Sequence, residues 1–224
     1  MPSGNHRQHT IHPLSSAGRL GSCSVAALTG FLASSAAGAT DRDIRHIGAC
    51  VPVPTRSAWT VPLDDPDART ALDHRAVLVC DTPDGGWRAA AGSPMPTASI
   101  LAVAADVSRW VEFLPYVTAS AGGGAVDGPS TGTFTLEVRG HSASQTLHQG
   151  PSARGLGFTV VGDPGSPLRR AVGHWYTEPD APGVIFCALD AQARWWTPGF
   201  LLHDLGRSGL GRLVWEVRRR AEQS

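Results

Sequence analysis

Lysine is missing from this sequence of 224 residues, in which all 19 basic residues are arginine. The absence excludes catalysis through a lysine Schiff base and a phosphate site that depends on a P-loop lysine. Neither sign of charge is in excess, because 19 acidic residues balance the arginines. The chain therefore does not have the basic surface typical of nucleic-acid-binding proteins, and we expect no nucleic-acid partner.

The motifs of several common enzyme classes are also missing. The sequence has no C-x-x-C, H-E-x-x-H, G-x-S-x-G or P-loop, and the glycines of Gly206–Gly211 do not have the dinucleotide-binding spacing. His141 and His148 have no third metal ligand at close spacing, so we interpret them as structural. His203 and Asp204 are adjacent on a predicted helix and point to different faces. We therefore expect no metal site, no cofactor and no catalytic residue that a motif would identify.

Long apolar runs are absent as well. The run in the N-terminal region, Ser24–Ala36, is too short to span a bilayer. It follows a polar lead with two arginines and precedes Ala37-Gly38-Ala39, so residues 1–39 have the three parts of a signal peptide. We predict export to the periplasm or the cell exterior, with Thr40 as the first mature residue. The alternatives are a disordered leader or a start codon assigned too far upstream.

Cysteine is scarce, with four residues in the whole chain. Cleavage after Ala39 would leave Cys50, Cys80 and Cys187, and an exported protein can hold a disulfide. We favour Cys50 with Cys80 as the pair because both lie in the N-terminal part, and the sequence leaves open whether they are joined. Cys187 lies in an apolar strand pattern, which favours a buried free thiol.

What is present indicates a globular chain, with 42% hydrophobic and 17% charged residues. Prolines interrupt residues 40–75, for which we predict an irregular, wrapping segment with one helical turn near Asp67–Leu72. A single domain over residues 76–224 follows. It begins with two strands, Ala76–Cys80 and Trp87–Ala91, joined by a glycine turn, and a helix with Thr97 at its N-cap comes next.

Beyond Pro115 the pattern changes to short strands that recur about every ten residues with turn signals between them, which is typical of an antiparallel meander. Thr133–Arg139 alternates most cleanly between apolar and polar residues. The predicted strands are Thr133–Arg139, His141–His148, Gly155–Val161, Arg169–Tyr176 and Val184–Leu189.

A long helix is predicted at the C-terminus, opening near Pro198. Its apolar stripe recurs at helical spacing and consists of Leu210, Leu213, Val214, Val217 and Ala221, whereas Glu216 lies outside the stripe. Glycines at positions 206, 209 and 211 each cost a helix about 1 kcal/mol relative to alanine. Either the helix is kinked there or its backbone approaches another element closely.

The segment Thr97–Val117 resembles the corresponding part of the START-like (SRPBCC, Bet v 1-like) superfamily. The resemblance depends on a helix followed by Asp106, Trp110, Phe113 and Pro115 at the spacing D-x-x-x-W-x-x-F-x-P. The Gly173-His174-Trp175 strand and the Thr197–Leu202 approach to the last helix add to it, so that the resemblance covers Ala76–Glu222. An Arg-Asp pair that many relatives have near His141–His148 is absent here.

The resemblance implies a helix-grip α+β fold, in which a curved antiparallel sheet wraps around a long C-terminal helix, with two short helices after the first strands. In that arrangement Asp106 would cap the second short helix, and Trp110, Phe113 and Leu114 would close one end of the core. The superfamily also implies an internal cavity for a lipid or another hydrophobic small molecule.

Alternation and helical periodicity then select the residues that would line such a cavity. The candidate ligand-binding residues are Leu114, Phe134, Leu136, Phe158, Val160, Trp175, Leu202, Leu210, Leu213 and Val217. Alternation reports burial and not empty space, so an ordinary filled core stays open as the alternative. By the same pattern Arg139, His174 and Tyr176 face outward, which speaks against a buried polar cluster.

Three functions remain open at this point. We favour an exported module that binds, and possibly carries, a hydrophobic small molecule without catalysis. The alternative is a polyketide cyclase or dehydratase-type enzyme, which would need a positioned acid or base in the cavity. The third is a filled domain that acts only through protein contacts. The sequence does not identify the ligand or the oligomeric state.

Overall fold

The computed structural model describes the chain from residue 43 to residue 224 with four short gaps. The described ranges are residues 43–53, 58–124, 126–138, 141–197 and 199–224. The predicted signal peptide and its cleavage site lie outside these ranges, as do Arg139 and Pro198. The side chain of Leu202 also lies outside the described part of the structure.

Eleven strands, four α-helices and one 3₁₀ turn make up the described part of the chain. The strands are β1 (Ile44–Ala49), β2 (Val51–Pro52), β3 (Trp59–Thr60), β4 (Val77–Asp81), β5 (Trp87–Gly92), β6 (Val117–Gly122), β7 (Ser130–Val138), β8 (His141–Ser152), β9 (Gly155–Gly162), β10 (Leu168–Tyr176) and β11 (Val184–Ala193). The helices are α1 (Pro66–Asp73), α2 (Thr97–Ala105), α3 (Trp110–Phe113) and α4 (Gly199–Glu222), and the 3₁₀ turn Val107–Arg109 lies between α2 and α3.

Nine of the strands form one sheet in the order β1-β4-β5-β11-β10-β9-β8-β7-β6. Every neighbouring pair is antiparallel except β1 with β4, which is parallel. The predicted meander is confirmed as the run from β7 to β11, and β6, which was not predicted, pairs with β7 before it. The last strand, β11, then pairs with β5 from the first hairpin, so the beginning and the end of the domain meet in the middle of the sheet.

The N-terminal segment differs from the irregular one that the prolines predict. It contributes β1 to the sheet, and its helix α1 has eight residues instead of a single turn. Asp65 caps α1 by accepting a 2.9 Å hydrogen bond from the backbone N–H of Asp67. A disulfide joins Cys50 to Cys80, which confirms the favoured pairing, and Cys187 is a buried free thiol as predicted. The segment is therefore bonded to β4 and is part of the fold.

Two separate apolar cores lie on the two faces of the sheet. On one face, called here the interior face, side chains of all strands from β4 to β11 pack against α2, α3 and α4. On the opposite face, α1 and the N-terminal segment pack only against β4, β5, β10 and β11. The sheet thus has cover on both sides near β4 and β5, and cover on the interior side alone from β6 to β9.

Two glycines bring α4 into close contact with the sheet. A Cβ atom at Gly206 would lie 2.4 Å from ring atoms of Trp87, and one at Gly211 would lie 2.6 Å from Ile44 and 3.1 Å from Val79. Side chains there would push α4 away from β4 and β5. Close approach is therefore the reason for glycine at these two positions of a continuous helix.

Candidate functional site

The predicted lining residues meet in one place, between the interior face of the sheet and the helices. Seven of them are buried members of the interior core, namely Leu114, Phe134, Phe158, Val160, Trp175, Leu210 and Val217. Leu136 and Leu213 are partly buried and pack against the same core. Nothing is described of the Leu202 side chain. The structure thus brings together the nine whose side chains it describes, and their contact with a ligand stays a prediction.

The helical wall of this interior comes from the segment that follows α2. The prediction that the Asp106 side chain caps the second short helix is wrong. Asp106 stands at the N-cap position of the 3₁₀ turn, but its carboxylate accepts a 2.5 Å hydrogen bond from the Ser108 hydroxyl and none from the backbone. The helix α3 ends where Leu114 turns to an extended conformation ahead of Pro115. Trp110 is buried, and its ring centre lies 5.2 Å from that of Phe134 on β7. This segment closes one end of the core, as the sequence predicted.

Two glutamines on β8 make the interior face less apolar than the sequence analysis expected. Gln145 and Gln149 alternate with Leu147, which belongs to the interior core, and both are buried. The amide nitrogen of Gln145 donates to Ser166 Oγ at 2.7 Å, and that of Gln149 donates to the backbone carbonyl of Ala105 at the end of α2. The strand predicted there ended at His148, and neither glutamine was among the predicted site residues, although the alternation Gln-x-Leu-x-Gln places both on one face with Leu147.

The buried indole N–H of Trp87, which lies against Gly206 of α4, has no hydrogen-bond partner within the structure. Two further buried polar atoms of the interior, both beside Phe134, also lack a partner. They are the amide oxygen of Gln145, which is an acceptor, and the indole N–H of Trp110, which is a donor. Both residues adjoin Phe134, because Gln145 is its cross-strand partner on β8 and the Trp110 ring packs against it. If the Gln145 amide were turned by 180°, one of its two polar atoms would still lack a partner. A buried atom without a partner costs about 1–3 kcal/mol, so such a pair is a candidate ligand contact.

His174 and Tyr176, which the alternation predicts to face away from the interior, do so in the structure. Trp175 lies in the interior core, whereas Tyr176 belongs to the core on the opposite face, where its ring stacks on Phe186 with centres 5.2 Å apart. Burial raises the pKa of Tyr176 to about 12. His174 packs against Tyr176, and burial lowers its pKa. Neither residue supplies an acid or a base to the interior.

Glu216 on α4 is an exception to the exposed polar face that helical periodicity predicts. Its side chain is 3% exposed, and its Oε2 accepts hydrogen bonds from Arg219 at 3.0 and 2.8 Å. Burial raises the pKa of this carboxyl, and the Arg219 guanidinium opposes the change. Burial together with the nearby Glu216 also raises the pKa of Tyr116, which packs against the interior core. Burial thus favours the neutral form of both groups.

A surface cleft lies at the turn between β6 and β7, where that turn meets the end of α2. It has a volume of about 500 Å³ and is lined by Ala102, Asp106, Ser108, Gly122, Gly123, Gly124 and Val126. Gly123 has a φ of +86°, and a Cβ there would lie 2.6 Å from the backbone nitrogen of Val107. Since Val126 packs against the interior core, the cleft is separated from that core by a single glycine-rich turn.

Two classes of site are not found in the described ranges. No group of three or more His, Cys, Asp and Glu residues there is placed to hold a metal ion. None of the described helices is long and apolar enough to cross a membrane.

Comparison with known proteins shows no likeness in sequence: no family model and no curated protein matches the chain. Solved structures are similar in fold. A START superfamily protein from Mycobacterium smegmatis has a TM-score of 0.50 at 16% identity, over 61% of this chain and 96% of that one. The di-domain ARO/CYC protein StfQ from the steffimycin biosynthetic pathway has a TM-score of 0.50 at 14% identity, over 62% of this chain and 50% of that one.

A STAR-related lipid transfer protein from Xanthomonas axonopodis is similar at a TM-score of 0.46 and 17% identity, over 62% of this chain and 86% of that one. The two likenesses with a TM-score of 0.50 are below 25% identity, so they show the fold alone. The order of strands and helices agrees with it, because a nine-stranded curved sheet packs its interior face against a long C-terminal helix. The chain therefore has the helix-grip α+β fold of the START-like (Bet v 1-like) superfamily.

Proposed function

We propose that this chain binds an amphiphilic small molecule, with an apolar skeleton and one hydrogen-bonding group, between the interior face of the sheet and the helices. The observation that carries the proposal is the pair of buried, unpartnered atoms beside Phe134, the Gln145 oxygen and the Trp110 N–H. The apolar residues around them would drive binding by about 25 cal/mol for each Å² of ligand surface removed from water.

The chemistry of the interior limits the ligand class. One acceptor and one donor match a ligand hydroxyl, which both donates and accepts hydrogen bonds. The pair carries no charge, and the charged Glu216 is already bonded to Arg219. A neutral lipid or polyketide-like compound with a hydroxyl therefore fits better than a fatty acid or a phosphate ester.

Access to the interior would pass through the cleft at the β6–β7 turn. The turn contains Gly122, Gly123 and Gly124, and Val126 at its end reaches the core. Opening this route would break the backbone hydrogen bonds that Gly123 donates to Thr131 and Gly124 donates to Ala105. The glycine-bearing start of α4 is the alternative route.

Native mass spectrometry of protein purified from its own host, followed by extraction of the bound compound, tests the proposal. We expect the wild-type chain and Gln149→Met to retain the ligand and Gln145→Met to lose most of it. Gln149 is the matched control because its amide already bonds Ala105, so its loss should lower stability and not ligand selectivity. Equal retention by Gln145→Met and the wild type would refute the polar contact, and a protein that is always empty would refute ligand binding.

An enzyme of the cyclase or dehydratase type is the second candidate, and the buried carboxyl of Glu216 favours it. Burial raises the pKa of this carboxyl, and a general acid requires a carboxyl that keeps its proton more readily than an ordinary one. The ARO/CYC protein StfQ has the same fold. Glu216→Gln would then abolish conversion of a poly-β-ketone substrate while leaving its binding intact. If binding is retained and wild-type protein converts nothing, the carrier function stands.

Export is part of the proposal. The tripartite pattern of residues 1–39 supports it, and so does the Cys50–Cys80 disulfide, because such bonds persist mainly in oxidising compartments. Intact-mass analysis of protein recovered outside the cytoplasm should find a chain that begins at Thr40. A chain that keeps its first residues and accumulates in the cytoplasm would contradict export.

A further inference from the structure

Two tryptophans lie exposed side by side in the loop between β11 and α4. Trp195 is 96% exposed and Trp196 is 43% exposed. All other large hydrophobic residues with comparable exposure in the described ranges are valines. Tryptophan has the largest apolar side chain, and two neighbouring exposed indoles are typical of an interaction surface.

The loop that carries the indoles is fixed on both sides. Before them, the Arg194 guanidinium donates to the backbone carbonyls of Ser166 at 2.9 Å, Asp163 at 2.7 Å and Gly162 at 3.3 Å. After them, the Thr197 hydroxyl donates to the carbonyl of Pro167 at 3.1 Å. The indoles therefore project from a structured turn that is anchored to the β9–β10 connection.

The surroundings of the two indoles are basic. Arg169 and Arg170 follow the β9–β10 connection directly, and both are exposed. Two acids are close by. The carboxylate of Asp163 accepts a hydrogen bond from the backbone of Ser144 at 3.1 Å, and that of Asp190 pairs with Arg88 at 2.9 Å. Arg88 is itself buried and paired with Asp190, so the exposed positive charge at the base of this loop comes from Arg169 and Arg170. Their strand pairs with Gln192 and Ala193, directly before the loop that carries the tryptophans.

We propose that Trp195 and Trp196 insert into the headgroup region of a membrane that contains anionic lipids, while Arg169 and Arg170 contact the lipid phosphates. Indoles favour the interface between headgroups and acyl chains, where the ring is in an apolar layer and its N–H stays near water. Each arginine near an anionic surface strengthens association about fivefold. The proposal depends on the loop alone and not on the ligand proposed for the interior.

The position of the loop fits contact of one end of the domain with a membrane. Ser166, whose carbonyl holds Arg194, also binds the Gln145 amide through its hydroxyl. The tryptophans thus lie at the end of the sheet that contains the polar group of the proposed ligand site. A membrane contact there would place that site near the lipid surface.

Flotation of the purified chain with vesicles tests the proposal, with phosphatidylcholine alone compared with phosphatidylcholine plus phosphatidylglycerol. We expect Trp195→Ala with Trp196→Ala to weaken association with both kinds of vesicle at least tenfold. Arg169→Gln with Arg170→Gln should weaken association with the anionic vesicles about 25-fold and leave neutral vesicles unaffected. The charge-matched control is Arg45→Gln with Arg69→Gln, at two exposed positions of the N-terminal segment, and it should bind like the wild type.

Three results would overturn the proposal. They are absence of vesicle binding by the wild type, unchanged binding by the tryptophan variant, and equal loss in the arginine variant and its control. A fourth result would come from size-exclusion chromatography. A wild-type dimer that dissociates in the tryptophan variant would show that the tryptophans bind a second copy of the chain and not a membrane. Equal unfolding midpoints of all variants would show that any loss of binding comes from the surface itself.

Discussion

The two halves of the sheet differ in how many layers cover them. Strands β4 and β5 are buried on both faces, so that Val77, Leu78, Val79 and Cys80 are all completely inaccessible to solvent. Strand β9, in the other half, alternates between buried and more exposed residues along its length. The first half has three layers because α1 and the N-terminal segment cover its opposite face, whereas the half from β6 to β9 has two.

The composition of the strands reflects this difference. Strands with cover on both faces are continuous apolar runs, as in Val77–Cys80 and Ile185–Ala188, because neither face meets water. A strand with cover on one face alternates, as Thr133–Val138 does. The continuous runs in β4 and β11 therefore already indicate a second layer, and the proline-rich segment before them is the part of the chain that supplies it.

Truncation of one side chain in each half of the sheet should give the largest difference in stability between them. Leu78 and Val172 both lie on the face of the sheet that points away from the interior. Leu78 is covered there by the N-terminal segment, whereas Val172 is 42% exposed. We expect Leu78→Ala to lower the free energy of unfolding by about 3–4 kcal/mol and Val172→Ala by about 0.5 kcal/mol or less. Urea unfolding measures both. Similar losses would mean that the N-terminal segment does not cover the opposite face in solution.

Removal of the Cys50–Cys80 disulfide should weaken the cover on the three-layer half of the sheet and leave the other half unchanged. The bond closes a loop with a sequence separation of 30 residues, and its loss through Cys50→Ser with Cys80→Ser should cost about 3 kcal/mol. Hydrogen exchange should then accelerate in β1, β4 and β5 and remain slow in β8 and β9. A reducing agent is the internal control, because it should leave the double variant unchanged. Uniform acceleration across the sheet would contradict the division into two halves.

The smallest expected effect concerns the pH dependence of stability and His174, which lies beside Tyr176 at the margin of the covered opposite face. Burial lowers the pKa of His174 below its ordinary value of 6.5, so the folded protein binds fewer protons than the unfolded chain. The free energy of unfolding should therefore be greatest above pH 6.5 and fall as the pH falls toward the folded pKa. His174→Gln should flatten this part of the profile, as measured by urea midpoints between pH 7.5 and 5.5. An unchanged slope would show that His174 is solvated.

Much of the fold could be predicted from alternation and helical spacing, because each strand from β7 to β11 has one face toward water or a turn signal at its end. The strand β1 was missed for a physical reason. Its sequence, Ile44–Ala49, has exposed charged residues and no apolar face, and it forms by pairing with the edge of β4. An edge strand that depends on tertiary pairing leaves little local signal.

The candidate site also has a part that the sequence predicts and a part that it does not. Its apolar wall could be predicted, because burial follows from period-2 and period-3.6 patterns in single elements. Its polar atoms could not, since the burial of Glu216 depends on how α3 packs against α4. On that side Arg220 bonds Glu112 at 2.6 Å and lies 6.0 Å from the Phe113 ring centre. Such packing between distant segments has no counterpart in the pattern of one helix.

The antiparallel pairing of β5 with β11 constrains the order in which the chain can fold. Arg88 and Asp190, which form an ion pair across these strands, lie 102 residues apart in the sequence. Until β11 is available, β5 has no partner on its second edge, and the core on the opposite face lacks Phe186 and Ala188. Contacts of such long range also slow folding. We therefore expect the half with three layers, although it begins at the N-terminal side of the domain, to be completed last.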